Sequence, residues 1–309
     1  MLHHFHPLAI FPRVGVAWVA ALACGGCSDA AVEPNGQSRQ ALSSDLLSFD
    51  LDGSSTPRVA IEDGALLGAV SDTVESFLGI PYAKPPLDTA TETLRFEAPV
   101  PPTRLTGERL ALERGSFCKQ LDVAGRVVGD EDCLYLNVYR PENTDDSSRL
   151  PVMVWIHGGS FENGAGSDYD PARIVKQNGV IVVTINYRLG ALGFLTLPGA
   201  QAITANHGLM DQQEALRWVQ RNIQAFGGDP GQVTIAGQSA GGVSVCAHFA
   251  SPSAAGLFSR AVIQSGACAS VPLAAAQAGG GLLIGALPAC AGRTDAARGI
   301  LCFAALAAL

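Results

Sequence analysis

The pentapeptide Gly237-Gln238-Ser239-Ala240-Gly241 has the form Gly-x-Ser-x-Gly. That spacing sets a serine at a sharp turn between a strand and a helix, with its hydroxyl clear of the backbone and able to attack a carbonyl carbon. The apolar stretch Gln232 to Ala236 reads as the strand, and a helix is expected to start near Ala240. Gly237, Gly241 and Gly242 would let strand and helix approach closely. The N–H of Ala240, at the helix start, is placed to donate to a developing oxyanion. A second segment, His157-Gly158-Gly159-Ser160-Phe161, follows the apolar run Pro151 to Ile156. Its glycines free the backbone N–H groups of Gly158, Gly159 and Ser160 to face one substrate oxygen without interference from a Cβ. Either segment alone is an ordinary glycine-rich turn. In this chain order they specify acyl transfer through a serine.

A serine hydroxyl needs a base within hydrogen-bond reach, and the base needs an orienting acid. On this class of scaffold the order is serine, acid, histidine. The 70 residues after Ser239 contain one histidine, His248, one aspartate, Asp295, and no glutamate. His248 falls nine residues along the expected helix, about 13 Å away, and reads as a packing or surface residue. His157 and His207 precede the serine and read as structural: His157 shaping its loop, His207 making a structural hydrogen bond. The sequence therefore predicts a chain cut off before its catalytic acid and histidine, inactive or nearly so by itself.

The elements that must position these residues alternate. Apolar runs at Pro151–Ile156, Gly179–Ile185, Gln232–Ala236 and Arg260–Gln264 suit strands covered on both faces. Between them, Ala215, Trp218, Val219, Ile223 and Phe226 follow helical spacing, so a helix is expected over 211–226, with Asp211 and Glu214 as a capping box. Gly227-Gly228-Asp229-Pro230 ends it. Ahead of these, 59–61 and 65–70 read as short strands around a Glu62-Asp63-Gly64 turn. Strand and helix in alternation imply an α/β fold.

Several longer segments resemble the type-B carboxylesterases, the family that includes the cholinesterases. Glu131 to Pro141 resembles one family signature, and Phe226-Gly227-Gly228-Asp229-Pro230 through Gly241 the other. Phe77 to Ala83, Asn186 to Gly190 and Asn206 to Gln213 are similar to further family segments. The resemblance covers roughly 57–309. It implies an α/β-hydrolase fold, with a central, mostly parallel sheet flanked by helices on both faces and incomplete on its C-terminal side. It implies Ser239 as the acylated residue, an oxyanion hole from the 158–160 loop and Ala240, and a small-molecule carboxylic ester as substrate; no cofactor or metal is expected, since no His/Cys/Asp cluster beyond the leader has ligand spacing. Gln238 stands where family members carry glutamate, which removes a negative charge beside the nucleophile. The resemblance further implies disulfides Cys118–Cys133 and Cys290–Cys302, leaving Cys246 and Cys268 free as buried apolar residues. Two other readings are a cholinesterase-like binding protein with a dead site and a non-functional gene fragment. The retained Ser239 disfavours the first.

A formal net charge of −8 with only 20 Lys+Arg leaves no basic patch for nucleic acid. Arg13 followed by the apolar run Val14 to Ala23 reads as an export signal over 1–23, too short to span a bilayer. Cys24-Gly25-Gly26 after it resembles a lipoprotein processing site, so Cys24 is a candidate lipid attachment point to the cell envelope. Residues 24–56 read as a flexible tether, with the globular domain over 57–309. Cys24 and Cys27 form a Cys-x-x-Cys without the surrounding pattern of a redox fold.

Overall fold

A computed structural model describes residues 56–88, 94–104, 107–197 and 206–287. The leader, Cys24, the tether through residue 55, and Cys290, Asp295 and Cys302 lie outside the described residues. The strands are β1 (Arg58–Ile61), β2 (Gly64–Leu67), β3 (Ala69–Ser71), β4 (Val74–Pro81), β5 (Glu108–Leu110), β6 (Gln120–Leu121), β7 (Val127–Val128), β8 (Tyr135–Pro141), β9 (Leu150–Ile156), β10 (Ile181–Ile185), β11 (Gly228–Gln238) and β12 (Arg260–Gln264). The helices are α1 (Ala172–Asn178), α2 (Gly190–Phe194), α3 (His207–Asn222), α4 (Ala240–Ala250) and α5 (Leu273–Ala286).

Seven strands form the main sheet in the order β12-β11-β9-β10-β8-β4-β3. The half from β12 to β10 is parallel, and β8, β4 and β3 continue it antiparallel. The parallel strands are the apolar runs of the sequence. Parallel neighbours need long crossovers, and helices supply them. Along β10, Ile181, Val183 and Ile185 pack with Trp218 and Val219 of α3, while Val182 between them packs with Val175 of α1. This two-residue alternation puts α3 on one face of the sheet and α1 on the other. Among the described residues β12 pairs only with β11, and all five of its residues are exposed.

Two local expectations are corrected. The 65–70 run is two strands in two sheets: β2 pairs with β1, whereas β3 pairs with β4. Gly68 sits at the break, where a Cβ would lie 2.8 Å from the Phe77 ring. The expected capping box also fails. α3 starts at His207, one turn before Asp211, and no side chain caps it. Asp211 is fully buried inside the helix and takes Arg188 instead, from its backbone N–H at 3.0 Å, Nε at 2.8 Å and Nη2 at 2.7 Å. A buried guanidinium requires a buried carboxylate, and that demand outranks local capping chemistry.

Candidate active site

The elbow forms as the spacing implies. β11 ends at Gln238, α4 begins at Ala240, and Ser239 between them has φ 55° and ψ −120°. A non-glycine residue in that region is strained, and only a turn over-determined by its surroundings holds it there. The surroundings are backbone. The Ser239 N–H donates to the Gln264 carbonyl at 2.9 Å, and the Val243 N–H donates to the Ser239 carbonyl at 3.0 Å. A Cβ on Gly237 would lie 2.9 Å from the Ile156 carbonyl oxygen, one on Gly242 2.9 Å from that of Gln264, and one on Gly241 would collide with the Ile156 carbonyl. Glycine at all three is what lets α4 rest on the ends of β9 and β12.

The 157–161 loop leaves β9 and lies against the elbow. A Cβ on Gly158 would come 3.3 Å from the Ser239 Cβ and 2.7 Å from the Gln238 carbonyl oxygen. Gly159, Ser160 and Phe161 all have positive φ, at 103°, 56° and 62°. The bend is closed by the Glu162 and Asn163 N–H groups, which donate to the Gly159 carbonyl at 2.9 and 3.0 Å. Among the described residues the Gly159 and Ser160 N–H groups donate to no backbone acceptor. The Ala240 N–H, first in α4, has no intrahelical acceptor. Ser239 thus stands beside donors from two segments.

The structure places each of the three described histidines away from base duty. His157 stacks on Tyr187 with ring centroids 4.3 Å apart, and its Nδ1 donates to the Gly158 carbonyl at 2.8 Å. Its Nε2 is buried without a partner among the described residues. Burial pushes its pKa down to about 4, with the Gly158 carbonyl opposing. His248, far from being a surface residue, is 1% exposed, and its Nε2 lies 2.7 Å from Gln212 Oε1. Gln212 Nε2 in turn donates to Ser244 Oγ at 3.1 Å, tying α3 to α4. Burial pushes His248 down to about 4 as well. His207 bonds the backbone of Phe96, and burial and then the Arg188 charge bring it to about 4. Each is a neutral structural imidazole, as the sequence order implied.

Residues without a sequence motif complete the support. Tyr187 Oη donates to the His157 carbonyl at 2.9 Å, and the Gln120 amide grips Gly164 by both its N–H at 2.8 Å and its carbonyl at 3.1 Å. Tyr187 was legible as part of a family segment; Gln120 had no signal. Of the two implied disulfides, Cys118–Cys133 is present. The expectation that Cys246 and Cys268 are free is overturned: they form a disulfide, with Cα atoms 5.4 Å apart. α4 runs back over β11 and β12, so the chain leaving β12 passes beside its middle turn. Sequence separation carries no trace of that crossing.

Beside the elbow is a cavity of about 770 Å³, walled by Phe161, Phe194, Val243, Leu273 and Leu283. Phe161 adjoins Ser160, and Val243 is one helical turn from Ser239. Glu162 is the one charged side chain among its described lining residues.

Residues 55–290 match the family model described as the carboxylesterase family. The chain belongs to the carboxylesterase family. This carboxylesterase-family chain is 47% identical over 218 residues to the para-nitrobenzyl esterase of Bacillus subtilis (strain 168), covering 68% of this chain and 43% of that one. It is 44% identical over 230 residues to the medium-chain fatty acyl-CoA hydrolase precursor of Anas platyrhynchos, covering 68% and 40%. A solved PNB esterase structure superimposes with a TM-score of 0.69 at 40% identity, over 82% of this chain and 54% of that one. The fold is that of the α/β-hydrolases. The chain spans about half, or less, of the length of these relatives.

Proposed function

We propose that the protein hydrolyses carboxylic esters through an acyl-enzyme on Ser239. Ser239 Oγ attacks the ester carbonyl carbon and gives up its proton to a base. The carbonyl oxygen becomes an oxyanion that accepts from the N–H groups of Gly159, Ser160 and Ala240. Collapse expels the alcohol, and water later releases the acid by the same path. The neighbouring cavity takes an apolar part of the ester, because its walls are mostly hydrocarbon. The observation that carries this reading is the strained Ser239 held against the 158–160 loop. None of His157, His207 and His248 is assigned as the base, since each is committed elsewhere. The replacement of glutamate by Gln238 leaves the site less favourable to a cationic substrate than a charged neighbour would.

The test is incubation with p-nitrophenyl butyrate and with a fluorophosphonate, followed by mass analysis of the Ser239 peptide. Where a base reaches Ser239, an adduct on Ser239, absent in Ser239→Ala, is expected; none of the described histidines supplies that base. Adducts only on other residues, or hydrolysis that survives Ser239→Ala unchanged, would overturn the assignment.

Export with lipid attachment at Cys24 is part of the same reading. The two disulfides support passage through an oxidising compartment. Metabolic labelling with a fatty acid, lost in Cys24→Ser, tests the anchor.

A further inference from the structure

The disulfide that the sequence did not suggest lies between two walls of the cavity. Cys246 immediately precedes Ala247 on α4, and Cys268 immediately precedes Ala269 after β12, and both alanines line the cavity. The wall that Cys268 begins runs on through α5, which contributes Leu273, Ala276, Gly280 and Leu283.

That wall is otherwise loosely attached. From Ser265 to Leu287, the described residues show no hydrogen bond or ion pair to the rest of the chain; the bonds of this segment are internal. It has no charged side chain. Only Gly280 and Ile284 of α5 are buried. Gly280 rests on the Thr196 carbonyl, where any side chain would collide. Packing without hydrogen bonds leaves a segment free to shift by small amounts, whereas a covalent bridge fixes one end to within a bond length.

We propose that Cys246–Cys268 is a positioning crosslink that holds the β12–α5 wall against α4 and thereby sets the width of the chamber for the apolar group of the ester. The proposal rests on the reading of the cavity as the substrate chamber. The crosslink takes no part in the chemistry: Cys246 lies seven residues past Ser239, two turns along α4. It acts through Ala247 and Ala269, whose separation it fixes.

The test reads ligand fit independently of turnover. A digest of the unreduced protein is first mapped for the Cys246–Cys268 peptide pair; its absence overturns the proposal. The dissociation constant of N-phenyl-1-naphthylamine, a neutral apolar fluorophore, is then measured for the parent, Cys246→Ser/Cys268→Ser and Cys118→Ser/Cys133→Ser. The second pair contributes no residue to the described lining of this cavity and reports what loss of a crosslink does in general. Binding about tenfold weaker in the Cys246/Cys268 variant, and within about twofold of the parent in the control, is expected. Equal affinity in all three, or equal weakening in both variants, overturns it. If the first variant does not fold, the Cys118→Ser/Cys133→Ser control reduced with a phosphine after folding, set beside its unreduced form, gives the same comparison, since Cys246–Cys268 is the described disulfide it retains. Failure of the esterase reading is seen separately, as fluorophore binding without any adduct on Ser239.

Discussion

The two sides of the cavity are built on opposite principles. On one side the elbow and the 157–161 loop are locked by backbone contacts, buried aromatics and glycines with no room for a methyl group. On the other, the wall from Ser265 to Leu287 is mostly exposed, uncharged and tied by one disulfide. Rigid placement is concentrated where a fraction of an ångström decides whether donors meet an oxyanion. Latitude is left where hydrocarbon meets hydrocarbon and a small shift loses little.

The contrast is sharpest in activity. Ser239→Ala is expected to lower any ester turnover by at least about a thousandfold, because no other group on the elbow can form the acyl-enzyme; Leu283→Ala, on the wall, should change KM for bulky esters several-fold and leave kcat for an acetyl ester within about twofold. Paired kinetics on short and long acyl esters check this.

Stability separates the sides next. Gly241→Ala drives a methyl into the Ile156 carbonyl and is expected to cost about 3 kcal/mol. Acid comes third. His157, His207 and His248 have native pKa values near 4 against an ordinary 6.5, so the unfolded chain binds more protons between those limits. Their contribution is complete above pH 6.5 and is lost as pH falls toward 4. The wall has no ionisable side chain to share in this loss. Hydrogen exchange at pH 5 against pH 7 should show faster opening of α3 and α4, with His248→Gln flattening the dependence. The smallest effect is Gly279→Ala. With nothing within 4 Å of its Cβ position on α5, it should stabilise by about 0.5–1 kcal/mol. Urea unfolding of both glycine variants sets a loss beside a gain for the same added methyl.

The locked side was the legible one. The elbow, its glycines and the 157–161 loop need special backbone angles and close approaches that a short glycine motif records, although the elbow's partners Ile156 and Gln264 lie far along the chain from it. Strands β9 to β11 were visible because burial makes an apolar run; Arg260–Gln264 has such a run too, but the expectation that it is covered on both faces fails, since all five residues of β12 are exposed. What was hidden depends on crossings between distant segments. Asp211 and Glu214 have the spacing of a cap, yet Arg188, from the end of β10, claims Asp211. The Cys246–Cys268 pair exists because α4 folds back over β12. Gln120 reaches Gly164 from a hairpin with no motif.

The strand Arg260–Gln264 has one consequence beyond catalysis. Among the described residues its outer row of amide and carbonyl groups meets no neighbouring strand, and Val262 and Ile263 are each about two-fifths exposed. An extended peptide arriving there finds the next rung of a ladder already spaced for it, in either direction. Whatever segment pairs with this margin, a lysine in place of Val262 is expected to weaken its seating there.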